Sequence, residues 1–138
     1  MYRNAPSEFS IALDLVSRSG IDLSAATLAN LRMSAEARTL TILWNGKKEP
    51  VGYVSWAGAN KESVKMASKF NISPSKFWEF REGNIVFIMN VLFSSRFKDE
   101  AKAEFRKFVR ARRAVFFVKK EKKRLAVRTS KGFRFPEM

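Results

Sequence analysis

The sequence has 138 residues, with 27 Lys and Arg against 13 Asp and Glu, for a formal charge of +14. A chain of this length forms one domain, and 46% hydrophobic residues with 13 Phe suffice to bury a core, removing roughly two-thirds of the unfolded surface from water. The absence of Cys excludes disulfides, thiolate catalysis and Cys-based zinc sites, and the absence of His removes the usual general base and the commonest metal ligand, so no metal site is expected.

No apolar run approaches the roughly 18 residues of a membrane span, and residues 1–10 lack the basic-then-apolar layout of a signal peptide. The expectation is a cytoplasmic protein without a membrane span. The charge is unevenly placed: residues 1–95 carry 11 basic and 8 acidic side chains, residues 96–138 carry 16 and 5. An electrostatic partner surface is therefore expected in the C-terminal third.

The predicted elements begin with N-terminal helices over 7–35. Ser7 is placed to cap a first helix with Phe9, Ala12, Leu13 and Val16 at helical spacing, and Gly20 sits where a left-handed C-terminal residue belongs. Asp22 or Ser24 opens a second helix with Leu28, Leu31 and Ala35 on its apolar side. Residues 39–45 (TLTILWN) and 50–57 (PVGYVSWA) flank the turn 46–49 and read as an antiparallel hairpin, with Trp44, Tyr53 and Trp56 in or near the core. Asn60 caps a helix running to Phe70, in which Met66 reads as a core filler, as does Met89 further on. Ser73-Pro74 starts a short helical turn carrying Phe77, Trp78 and Phe80.

Residues 85–93 (IVFIMNVLF) are too continuously apolar for a one-faced strand and are predicted as a central strand covered on both sides. A long helix over 97–113 follows, with Phe97, Ala101, Phe105, Phe108 and Val109 inward and Lys98, Lys102, Arg106, Lys107, Arg110 and Arg113 outward. Residues 115–119 and 125–129 read as a second hairpin around the turn 120–124, closing a sheet-and-helix core over 39–130, and residues 131–138 as a tail. If the strands on either side of the long helix pair in parallel, this is an α/β fold: a single-domain mixed sheet with flanking helices.

The string PVGYVSWA at 50–57, preceded by Leu40 to Trp44 and followed by Asn60 and Glu62, resembles the RTX-toxin-activating lysine acyltransferases. The P-V-x-Y-x-S-W-A core is its specific part, and a looser likeness extends through Phe87-Ile88 and the helix from Phe97 to Val109. The resemblance implies an acetyltransferase-like (GNAT-like) fold and transfer of a fatty acyl group from acyl carrier protein to a lysine of a partner protein, with acyl-acyl carrier protein as donor and no cofactor bound. The chain would be a divergent member. The family uses a histidine in its N-terminal region and an acidic residue on the central strand; this chain has no histidine, and the aligned stretch reads Phe87-Ile88-Met89-Asn90.

From the residues themselves, attack of an amine on a thioester needs a base tuned near the working pH, and Asp14, Asp22, Glu36, Glu79 and Glu82 form no constellation. Ser94 and Ser95, at the strand–helix junction, are candidates to present an oxyanion or anion site, or in Ser95's case simply to cap the helix. The junction contains no glycine, which argues against a coenzyme A donor. Lys102, Arg106, Arg110 and Arg113, at offsets of four, four and three, are expected to form one positive surface with Lys120, Lys122, Lys123 and Arg124 on the nearby turn. Its partner would be an acidic protein such as acyl carrier protein. Nucleic acid is the alternative, with Phe133 and Phe135 available to stack on bases, and a homodimer is left open. The first functional reading is thus an acyltransferase-like protein that binds an acidic partner without catalysis; the second is a basic nucleic-acid-binding or regulatory module.

Overall fold

The computed structural model of the protein describes residues 7–70, 83–119, 122–129 and 132–134. The chain runs through helices α1 (Ser7–Ser19) and α2 (Ala25–Glu36), strands β1 (Leu40–Trp44) and β2 (Pro50–Ala59), helix α3 (Lys61–Phe70), strand β3 (Ile85–Phe93), helix α4 (Lys98–Arg110) and strands β4 (Ala114–Lys119), β5 (Lys122–Thr129) and β6 (Gly132–Arg134). The six strands form one mixed sheet in sequential order, antiparallel throughout except for the parallel pair β3–β4. The expected short helix around residues 73–80 lies outside the described residues.

Local chemistry sets the element ends. Gly20 adopts φ +64°, its N–H donating to Ser17 O and that of Ile21 to Val16 O, the paired bonds of a Schellman termination. Ser24, rather than Asp22, caps α2, its hydroxyl accepting from Thr27 N at 3.1 Å. Asn60 does the same for α3, accepting from Ser63 N at 2.8 Å. Ser7 is already the first helical residue, and its hydroxyl bonds Glu8 instead of a helix amide. In the β1–β2 turn, Asn45 Oδ1 accepts from the amides of Lys47 and Glu49, both at 2.9 Å, while its Nδ2 reaches Glu100 on α4 at 2.7 Å.

Alternation along the strands divides the core between two faces. On one, Ala12, Leu15 and Val16 of α1 and Leu31 and Ala35 of α2 cover Leu40, Ile42, Tyr53 and Leu92. Farther along the same face, Val64 and Ala67 of α3 pack near Ala57, Phe87 and Phe116, the two rings 4.9 Å apart. On the other, Ala101 and Phe108 of α4 sit over Leu43, Val54, Val86 and Val115. Both faces of β3 are thereby used, as its unbroken apolar run requires. Full burial of side chains such as Phe116 and Val54 stabilises the fold by about 1.5–3 kcal/mol each.

Several expectations are corrected. In α1 it is Leu15 that turns inward; Leu13, about 100° around the helix from Ala12, is 36% exposed. Trp44 is 44% exposed because the β1–β2 register shifts between Leu43 and Trp44 at the strand end, and Met66 lies on the outer side of α3. Helix α4 stops at Arg110, with Ala111 as its C-cap, so Arg113 is not helical. Lys119 pairs directly with Lys122, placing Lys122, Lys123 and Arg124 in strand β5 instead of a five-residue turn. Residues 132–134, expected in a tail, form β6 by pairing with Val127 to Thr129.

Candidate functional site

The β3–α4 junction carries the two serines singled out in the sequence. The Ser94 amide donates to Val51 O at 2.8 Å, and a single 3-10 turn, Ser95–Phe97, leads into α4. Neither serine caps α4, and Ser94, at the N-cap position of the 3-10 turn, forms no side-chain capping bond. The residue at the cap of α4 is Phe97, which has no side-chain acceptor. No base is bonded to either hydroxyl among the described residues: Asp14 pairs with Arg18 at 2.9 Å and Glu36 with Arg32 at 3.3 Å, both within the N-terminal helices, and Asp22 is exposed on the link between them. Glu79 and Glu82 lie outside the described residues.

The part of the central strand compared with the acyltransferases is occupied by a β-bulge. Ser55 pairs with Asn90 and Trp56 with Ile88, leaving Met89 as the extra residue. Tyr53, fully buried on β2, donates its phenol hydrogen to Asn90 Oδ1 at 2.5 Å, and burial pushes its pKa up to about 12. One step along the same face, the hydroxyls of Ser55 and Ser34 lie 2.8 Å apart, and Ser34 donates at 2.9 Å to Leu31 O. These are two separate pairs, a phenol with an amide and a hydroxyl with a hydroxyl, and none of the four groups takes up a proton near neutral pH. The sequence expectations do not include these pairs; their signal is the polar groups at 53, 55 and 90 set into otherwise apolar strands.

The cationic residues lie on several elements. Lys102, Arg106 and Arg110 are exposed along α4, with Lys98 and Lys107 beside them, while the opposite side of the helix is held in the core by Ala101 and Phe108. Asp99, Glu100 and Glu104 share the helix, and Glu104 pairs with Lys107 at 3.2 Å. Arg113 belongs elsewhere: it borders a cleft on the opposite face of the sheet together with Lys61, Lys65 and Lys69 of α3. Lys122, Lys123 and Arg124 extend along β5, and Lys120 lies outside the described residues. Arg112, which the sequence reading passed over, stacks its guanidinium 4.4 Å from the Phe108 ring centroid and 5.2 Å from that of Trp56. Burial lowers its pKa from the ordinary arginine value.

Among the described residues no cluster of three or more Asp or Glu is placed to hold a metal ion, and no helix is long and apolar enough to cross a membrane. The chain matches no protein-family model and no curated protein.

Proposed function

We propose that this domain is an acyltransferase-like binding protein, resembling the RTX-toxin-activating lysine acyltransferases, that receives an acidic partner of the acyl carrier protein type without itself transferring the acyl group. The observation that carries this reading is the ridge of Lys102, Arg106 and Arg110 on α4. These side chains are exposed at offsets of four, on a helix whose other side is fixed in the core, so the charges are presented in a set orientation. Complementary charge of that kind raises the encounter rate and selects the docking orientation. The Tyr53–Asn90 and Ser34–Ser55 hydrogen bonds support binding over catalysis, because they tie the strands to each other and to α2 but supply no base for a lysine amine.

The test compares the full chain with Lys102→Glu/Arg106→Glu/Arg110→Glu. This variant changes the charge by six and should fold with nearly unaltered stability, because exposed charges contribute little. Affinity for acyl-acyl carrier protein should fall at least tenfold at low salt, and mass spectrometry should find no acyl group on any lysine of the domain or its partners. An acyl mass on a partner lysine would restore the enzyme. Weak carrier-protein binding, with affinity for duplex DNA falling about one logarithmic unit per neutralised phosphate per decade of salt, would favour the nucleic-acid reading.

A further inference from the structure

The cleft bordered by Arg113 lies between α3 and the strands β3, β4 and β5, on the sheet face opposite α4, and has a volume of about 430 Å³. Its floor is aliphatic: Val64, Ile85, Ala114, Leu125 and Val127. Its rim is cationic. Lys61, Lys65 and Lys69 follow one another at intervals of four on α3, one turn apart, and Arg113 enters from the α4–β4 link. All four are exposed, and among the described residues no carboxylate lines the cleft or is ion-paired to any of the four.

This combination selects an amphiphile with one negative end. Among the described residues the lining contains no aromatic ring on which a nucleobase could stack, and the uncharged polar ones are Ser68 and Asn84. The volume lies within the roughly 300–1,000 Å³ range of small-molecule sites. At about 30 Å³ per water-sized group it holds one alkyl chain of roughly fourteen carbons, not two. A concave site of this size suits a single detached chain, whereas docking onto a bilayer would call for apolar side chains projecting outward. We infer that the cleft binds a free long-chain fatty acid, its tail along the aliphatic floor and its carboxylate among Lys65, Lys69 and Arg113. The site is separate from the α4 ridge, and its occupancy does not depend on the partner proposed for that ridge.

The test is titration of the full chain with octanoate, decanoate and dodecanoate below their micelle concentrations, by calorimetry and by amide chemical-shift mapping. Affinity should rise roughly fourfold per added methylene. Shifts should concentrate at the amides of Val64, Ala114 and Val127, and uncharged dodecanol should bind at least tenfold more weakly than dodecanoate. Lys65→Gln/Lys69→Gln/Arg113→Gln should weaken dodecanoate binding at least tenfold. The charge-matched variant Lys102→Gln/Arg106→Gln/Arg110→Gln should leave it within twofold. Equal loss in both variants, equal binding of the alcohol, or absence of shifts at those amides overturns the proposal. Binding to phosphatidylglycerol vesicles without binding of the free acids overturns it in favour of a membrane surface.

Discussion

The phenol of Tyr53, which packs in one cluster with Leu40, Ile42 and Leu92, is joined to the side-chain amide of Asn90 by a 2.5 Å hydrogen bond beside the β2–β3 bulge. Because burial holds the phenol neutral up to about pH 12, against an ordinary value of 10, its contribution to stability is complete below pH 10 and is lost as the pH rises through 12. Tyr53→Phe leaves the Asn90 oxygen without its donor and should cost about 1–2 kcal/mol at pH 7, read from urea denaturation. The stability gap between wild type and variant should narrow between pH 10 and 12. A gap that stays constant over that range would show that the phenol titrates normally.

Arg38 terminates α2 at φ 63°, with its N–H donating to Ala35 O and that of Thr39 to Ser34 O, a left-handed position usually taken by glycine. Its side chain is exposed and makes none of the bonds that hold the termination. Arg38→Gly removes the steric cost of a Cβ in this conformation at some expense in unfolded-chain entropy. The net expectation is a gain of about 0.5–1 kcal/mol. A destabilised variant would mean that the arginine stem itself packs against the fold.

Arg112 combines favourable and unfavourable terms. Its guanidinium stacks over Phe108 and Trp56, yet its Nε is buried with no hydrogen-bond partner among the described residues. Arg112→Ala should cost about 1–2 kcal/mol through lost packing, whereas Arg112→Met, which keeps most of the stem and removes the unpaired donor, should fall within about 0.5 kcal/mol of wild type. Equal losses in the two variants would assign the contribution to the positive charge instead.

Ser95→Ala should shift stability by less than about 0.5 kcal/mol, because no side-chain cap is formed at the start of α4. A loss near 1 kcal/mol in thermal or chemical denaturation would mean that Ser95 caps the helix in solution.

The elements legible in the sequence are those whose cause is local. Gly20, Ser24 and Asn60 each mark a helix end by their own conformation or side-chain chemistry, and the run from Ile85 to Phe93 carries its two-sided burial in its composition. Features created by partners were not legible. Strand β6 has only three residues and exists through its pairing with β5, while the Lys-rich stretch at 122–124 looks like a turn until its register with 117–119 is known. The same holds for the candidate sites. Lys102, Arg106 and Arg110 follow from helical spacing, but Arg113 does not share their face, because the helix stops at Arg110. The row of Lys61, Lys65 and Lys69 has equally regular spacing. A charge balance taken by chain segment hides this row, because the excess there falls in the C-terminal third.

The parallel contact between β3 and β4 is made at only two register positions, Val86 with Val115 and Phe87 with Phe116. The sheet therefore consists of two antiparallel meanders, β1–β2–β3 and β4–β5–β6, stitched by a narrow seam whose strength lies in side chains: Val115 is locked into the core on one face and Phe116 into that on the other. Separating the meanders breaks few ladder bonds but exposes two fully buried residues, so the domain should open as two cooperative units before it unfolds globally. Native-state hydrogen exchange should sort strand amides into two groups, with β4 and β5 released at lower free energy than β2 and β3. Phe116→Leu should widen that difference.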